Sequence, residues 1–159
     1  MTVAKVFSVA RFWGAASAAF ILVFGGVCLA QDQSQWGDVG SFLVQSLAPG
    51  QQNEAYTWLP DNPDSARARE AIGIIYPAIV GSAGSVSIAV GHFTRIEAGF
   101  TRDAIITNLF GNNPRDARFF PDRIEITTDV LGPNDPRCCP SVAQRWSIPR
   151  NSWSAKAAR

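Results

Sequence analysis

The sequence predicts an α+β domain: an antiparallel sheet of four to six strands with one or two short N-terminal helices, following a cleaved signal peptide. The sheet is expected either to be packed on one face by the helices or to curl into a partial barrel. Two observations carry this prediction. The first thirty residues are almost uncharged, and from Ser85 onward the apolar residues alternate with the period of two that is typical of strands.

Composition limits the class of protein. The chain has 159 residues, of which 47% are hydrophobic and 17% charged, so it can form one domain with a packed core. Collagen, coiled coil and general disorder do not fit these values. The 14 basic and 13 acidic residues nearly balance, whereas nucleic-acid binding needs a surplus of Lys and Arg on one surface. No nucleic-acid partner is therefore expected.

Residues 1–30 are predicted to be an export signal. Lys5 and Arg11 are their only charges, and an uncharged stretch runs from residue 12 to Ala30, where a polar sequence begins abruptly. A basic start, an apolar middle and small residues before the cut are typical of secretory signals. Cleavage after Ala30 would leave 12 basic and 13 acidic residues in a periplasmic or secreted bacterial protein that does not contact the membrane.

Two alternatives to cleavage remain open. Residues 12–30 approach the roughly 20 residues that span a bilayer, so they could anchor the protein in the inner membrane. Their many Gly and Ala residues weaken this alternative because they lower the hydrophobicity of the run. Lipidation at Cys28 is the other alternative, although Val27 stands where a lipoprotein signal normally has a small residue.

Two short helices are expected near the start of the mature chain. Phe42, Leu43 and Leu47 have helical spacing behind Asp38, and a Pro-Gly pair at 49–50 ends this first helix. A second helix is predicted over residues 66–72, because Asp64 or Ser65 could cap it. A short strand containing Tyr56 and Trp58 lies between the two.

The rest of the domain is expected to be strands. Alternating apolar residues predict one strand from residue 85 to 90, a second from residue 104 towards Phe110, a hairpin over 118–130 and a last strand over 142–148. Residues 111–114 are a strong loop signal. A single domain over 31–150 is predicted, and residues 151–159 are expected to be a frayed tail.

The segment 132–140 is chemically unusual. It contains three prolines and a glycine, which stiffen a loop between two predicted strands. We therefore predict that this loop binds a ligand or partner through five residues: Asn134, Asp135, Arg137, Cys138 and Cys139.

Cys138 and Cys139 are adjacent, and they would be the only cysteines of the cleaved chain. A disulfide between them closes a small ring and restrains almost no unfolded chain, so it would fix local shape more than overall stability. Disulfide exchange is an alternative role, since the charge of Arg137 would favour a thiolate. Metal binding would need further ligands, of which the single histidine, His92, could be one. His92 is otherwise expected to be hydrogen-bonded and neutral on its strand.

The C-terminal third resembles small exported bacterial proteins without an established role. The resemblance rests on three stretches: Asn112 to Asp116, Arg123 to Thr128, and Gly132 to Pro140 with Arg145 and Trp146 following. It implies a recurring module and no particular activity.

No conventional catalytic motif is present, since the sequence lacks a Gly-x-Ser-x-Gly elbow, a phosphate-binding glycine loop and a Cys-x-x-Cys pair. No catalytic residue, cofactor or metal site is predicted. The leading hypothesis is an exported non-enzymatic module that binds an unknown protein or small ligand through the stiff Cys-Cys loop. The alternative is a thiol-redox or metal-handling envelope protein that uses the same cysteines.

The signal sequence gives a direct test. Protein recovered from its native cell should begin at Gln31, as a free or cyclised glutamine, because export signals are removed after small residues. Intact-mass measurement checks this prediction. A chain that keeps Met1, or that carries a lipid on Cys28, would contradict it.

Overall fold

The computed structural model describes residues 33–82 and 85–158. The predicted signal peptide and its two alternatives, an anchor over 12–30 and lipidation at Cys28, lie outside these residues. Within the described part, no helix is both long and apolar enough to cross a membrane.

The described chain consists of a short 3-10 helix, one α-helix and eight strands. In order these are the 3-10 helix Gln33–Trp36, α1 (Val39–Leu47), β1 (Asn53–Pro60), β2 (Glu70–Pro77), β3 (Ala89–Ile96), β4 (Gly99–Ile106), β5 (Asn112–Phe119), β6 (Arg123–Val130), β7 (Val142–Pro149) and β8 (Lys156–Ala157). Strands β1 to β4 form one antiparallel sheet and β5 to β8 form another, each in sequence order.

The β-rich, antiparallel character of the prediction is confirmed, but the single sheet or partial barrel is wrong. The chain leaves the first sheet after Ile106 and enters the second at Asn112. Gly111 permits this change of sheet because it has a left-handed φ of +100°, which glycine adopts freely. A Cβ at this position would also lie only 2.6 Å from the backbone oxygen of Asp129. The loop signal at 111–114 therefore marks a change of sheet, with β5 already starting inside it.

The predicted second helix over 66–72 is also wrong. Asp64 does accept a backbone N–H, from Ala66 at 2.9 Å, but the helical turn ends there. From Glu70 the chain becomes β2, which pairs with both β1 and β3. Because β2 is central, Ala71 to Ile75 are buried on both faces, and this continuous apolar run hides the alternation that marks other strands.

Helix α1 packs on the outer face of the first sheet. Asp38 caps it by accepting the N–H of Ser41 at 3.0 Å, as the sequence predicts. Gly73 and Gly91 face each other across β2 and β3, and a Cβ on either would lie within 2.8 Å of a leucine of α1, Leu43 or Leu47. The two glycines therefore let the helix lie directly against the strand backbone.

The main core lies between the two sheets. Ile72 and Ile74 of β2 meet Ile124, Ile126 and Ile148 of the second sheet, all fully buried. Trp146 belongs to the same cluster. On the opposite face of the first sheet, half-buried Trp58 packs with Phe42, Phe93, Phe100 and Trp36 beside α1.

The segment after residue 150 differs from the expected frayed tail. Lys156 and Ala157 pair with β7, and Ala155 is buried. Ala155 donates its N–H to the carbonyl of Thr107 at 2.8 Å, and Thr107 donates its own to the carbonyl of Trp153 at 2.9 Å. The described part of this segment is therefore held against the passage between the two sheets.

The glycine pair under α1 leads to a stability prediction. Gly73→Ala should destabilise the protein by about 1–3 kcal/mol, because the new methyl group would lie 2.3 Å from Leu43 and 2.7 Å from Phe93. Denaturant unfolding measures the loss. Combining it with Leu43→Ala should cost less than the sum of the two single changes, since the truncated side chain makes room. Simple additivity would show that the clash is relieved elsewhere.

Candidate functional site

All five predicted site residues lie in one connection, which runs from the end of β6 at Val130 to the start of β7 at Val142. Asp135 holds this connection closed. Its carboxylate accepts hydrogen bonds from the backbone N–H of Gly132 at 2.8 Å and from the backbone N–H and hydroxyl of Ser141 at 2.7 and 2.8 Å. Gly132 and Ser141 stand at opposite ends of the loop, so one side chain ties its two ends together.

These bonds have an electrostatic consequence. The backbone N–H of Gly132, together with the hydroxyl and N–H of Ser141, holds the pKa of Asp135 below its ordinary value. The Asp135 carboxylate is thus hydrogen-bonded within the loop. It forms no ion pair with Arg137, although the two residues are close in sequence.

Cys138 and Cys139 form a disulfide, as the sequence predicts, with their Cα atoms 3.8 Å apart. Both residues are exposed at the tip of the loop. Cys139 also donates its backbone N–H to the carbonyl of Pro136 at 2.9 Å, so the tip is a closed turn. The disulfide and the Asp135 hydrogen bonds therefore constrain different parts of the same loop.

A groove of about 310 Å³ lies beside the loop. Most of its walls are apolar and come from Phe110, Val130, Leu131 and Pro140. Arg137 also lines it, and within residues 33–82 and 85–158 no carboxylate lies within ion-pair distance of that guanidinium.

Asp129 is the acidic residue of the groove, and its charge is already balanced. It accepts hydrogen bonds from Arg115 at 2.7 Å and from Asn113 at 2.9 Å. These two donors lower the pKa of Asp129, with Arg115 contributing most. The groove therefore presents apolar surface and one cation, Arg137, that has no carboxylate partner in the part of the chain that the structure describes.

The Phe110 wall is fixed in place by buried hydrogen bonds. The hydroxyl of Thr128 donates to the carbonyl of Phe110 at 2.7 Å and accepts the indole N–H of Trp146 at 2.8 Å. Thr128 is fully buried, while 57% of Phe110 remains exposed. The backbone of Phe110 is thus anchored to the core and its ring is presented to solvent.

The predicted residues do not all share one role. Arg137 lines the groove, Asp135 shapes the loop, and Cys138 and Cys139 form the tip. Asn134 is exposed and makes no hydrogen bond in the described part of the chain. Sequence reasoning missed Phe110 and Leu131, because an apolar residue at the end of a strand is expected to be core.

A second polar cluster lies between the sheets, and we call it the inter-sheet polar cluster: Glu70, His92, Asp103 and Arg150. The buried ring of His92 lies with Nδ1 2.7 Å from Asp103 and Nε2 2.8 Å from Glu70. Arg150, which follows β7, donates to the same Glu70 carboxylate at 2.9 Å. His92 is therefore hydrogen-bonded, as expected, to two carboxylates of the first sheet, and Arg150 joins one of these carboxylates to the second sheet.

The possibility of a metal site gains no support from this arrangement. Both nitrogens of His92 face carboxylates, and one face of its ring stacks on Trp153 at a centroid distance of 4.7 Å. Among the described residues, no three side chains of His, Cys, Asp or Glu form a group that could hold a metal ion.

No protein-family model, curated protein or solved structure matches this chain.

The Asp135 hydrogen bonds predict a pH dependence of the loop. Because the folded-state pKa is depressed, the carboxylate stabilises the closed loop above its ordinary pKa, and this contribution is lost as the pH falls through the lower folded value. In ¹⁵N NMR spectra, the amide signals of Gly132 and Ser141 should titrate together below the range of an ordinary aspartate.

Asp135→Ala is the control for this titration, since it should abolish the transition and show an open loop at neutral pH. Amide signals that titrate in the ordinary aspartate range in the wild type would contradict the hydrogen-bonded closure.

Proposed function

We propose that the protein is an exported, non-enzymatic binding module, and that its ligand site is the groove beside the Cys-Cys loop. The ligand carries a carboxylate or a similar anion together with an apolar portion. One observation carries this proposal: the guanidinium of Arg137 lines a mostly apolar groove, whose one acidic residue, Asp129, is hydrogen-bonded to Arg115, and it has no carboxylate partner among the described residues. A guanidinium next to apolar walls favours such a ligand, because it forms strong charge-assisted hydrogen bonds with carboxylates.

The size and rigidity of the groove support binding. A volume of about 310 Å³ is at the lower end of the range for ligand sites in proteins. Its walls are held by the Asp135 hydrogen bonds on one side and by the Thr128 hydroxyl on the other. Little conformational entropy is lost when a ligand enters a site that is already formed.

The charged groups of the groove favour binding over catalysis. Catalysis by acid–base or nucleophilic chemistry needs a group that can exchange a proton or attack the substrate. The carboxylate of Asp129 is hydrogen-bonded to Arg115 and Asn113, and an arginine stays protonated in proteins. Export is supported by the sequence of residues 1–30 and by the disulfide, since disulfides persist in oxidising compartments.

The exposure of the disulfide favours a second candidate, a thiol-redox protein. Both Cys138 and Cys139 are exposed, so a thiolate of another protein could approach either sulfur. Arg137 precedes them and its charge would stabilise a released thiolate. In this alternative the groove would bind the redox partner, and the cysteines would carry out the exchange.

The binding proposal is tested with hexanoate, a short carboxylate with an apolar tail, titrated into the ¹⁵N-labelled protein. Shift changes should be confined to residues that line the groove. Arg137→Gln should abolish them, while Arg118→Gln should not, because Arg118 is an exposed arginine of β5 that does not line the groove. Changes spread over the whole surface, or changes that persist in Arg137→Gln, would overturn the proposal.

A double replacement separates the two candidates. Cys138→Ser with Cys139→Ser should leave the melting temperature within about a few degrees of wild type, because the bond between adjacent residues closes no long loop. Hexanoate binding should weaken, since the loop tip loses a constraint. Hexanoate binding equal to wild type, together with fast and reversible reduction of the native disulfide by a dithiol, would favour the redox function. A collapse of stability would contradict a purely local role for the pair.

A further inference from the structure

The same groove and its surroundings support a more specific proposal about the partner. This proposal rests on the proposed function. We infer that the ligand is an extended segment of a partner protein with apolar side chains and a carboxylate, and that it lies across three adjoining grooves around Phe110 with its carboxylate at Arg137. We call these three grooves the Phe110 surface.

The three grooves adjoin one another. The first is the groove of about 310 Å³ at Arg137. A second, of about 150 Å³, adjoins it through Phe110, Gly111 and Asn112, and is also lined by Val86. A third, of about 350 Å³, includes Ile105 and meets the others at Phe110. Phe110 is thus the residue that all three have in common.

The surface around these grooves is unusually apolar. The exposed fractions are 57% for Phe110, 54% for Leu131, 47% for Ile105 and 41% for Val86. Each of the last three lines a different groove next to Phe110. Exposed apolar residues that adjoin one another, unlike single scattered ones, indicate an interaction surface.

The shape favours a protein segment over a lipid. The three grooves are open to solvent and separate, so an acyl chain lying across them would keep much of its surface in water. An extended peptide fits better, because its alternate side chains can enter different grooves while its backbone stays hydrated. Arg137 lines the first groove and neither of the other two, so the carboxylate of the segment lies at the first groove.

The anchoring of Phe110 makes it suited to be the central contact. Its carbonyl is bound by the buried hydroxyl of Thr128, and its ring contacts Trp146 edge-on at 6.0 Å. Asn108 and Gly111 on either side have positive φ values of 60° and 100°. Glycine and asparagine both tolerate this conformation, so the chain can turn on each side of Phe110. A rigid, exposed aromatic ring has the properties of an interface hot spot.

The test uses a displayed library of random heptapeptides with free C-terminal carboxylates, selected on the wild-type protein. We expect enrichment of apolar residues at alternating positions before the terminus. The best sequence, labelled with fluorescein, should bind at least about tenfold more tightly than hexanoate and about tenfold more tightly than its C-terminal amide, as measured by anisotropy.

Substitutions test whether the selected peptide binds at the Phe110 surface. Phe110→Ala should weaken the selected peptide about tenfold. Ile105→Ala should also weaken the peptide but leave hexanoate binding unchanged, because Ile105 lines the third groove and not the groove at Arg137. Ile96→Ala is the matched control, because Ile96 is 48% exposed and lines none of the three grooves. Thr128→Val should also weaken the peptide, whereas Thr128→Ser keeps the hydroxyl and should bind as wild type does.

The outcomes separate the two proposals. If hexanoate binds at Arg137 but no peptide is enriched, or if Phe110→Ala has no effect, the peptide inference is overturned and the proposed function stands. If neither probe binds, both fail. Displacement of hexanoate by a dansylated undecanoate that binds more tightly than any selected peptide would show an acyl ligand and overturn the inference.

Discussion

The contact between Glu70 and Arg150 is the interaction on which the arrangement of the site depends, because it joins the first sheet to the end of the second. Arg150 is followed by Trp153, whose ring stacks on His92. This stacking holds the C-terminal segment in place beside Thr107, with which it exchanges two backbone hydrogen bonds. Thr107 begins the connection between the two sheets, and Phe110 lies in this connection. The position of one exposed ring therefore depends on an ion pair in another part of the fold.

The loop opposite Phe110 is constrained by contacts of a different kind. There the contacts are local: one carboxylate joins the two ends of the loop and a disulfide stiffens its tip. Because Asp135 is occupied by N–H and hydroxyl groups, it does not neutralise its neighbour Arg137. A long-range constraint on one wall and a local constraint on the other thus produce a groove in which Arg137 has no carboxylate partner among residues 33–82 and 85–158.

Prediction from sequence succeeded where the structural signal is local. The strands β6 and β7 follow from alternation, whereas only the end of β5 was predicted, because residues 111–114 carry a loop signal. The stiffness of the Cys-Cys loop follows from its prolines. The central strand β2 was missed because Ala71 to Ile75 are buried on both faces and do not alternate. The ordered C-terminal segment was missed because Trp153 finds its partner, His92, on a strand far away in sequence. Arg137 was identified, but the wall it faces was not, since only the change of sheet at Gly111 brings Phe110 beside it.

The two short contacts of the His92 ring also determine how many protons are shared by His92 and its two carboxylate partners, Glu70 and Asp103. Each short nitrogen–oxygen contact needs one proton, but a neutral imidazole has a single N–H. Either His92 is an imidazolium between two carboxylates, or it is neutral and one carboxyl group holds the second proton. With Arg150 included, both arrangements have a net charge of zero, so four ionisable groups can lie between the sheets without burying an unbalanced charge. The side chain of Asp103 is 40% exposed against 1% for His92, so the histidine is enclosed while one of the two carboxylates that balance its charge is open to solvent.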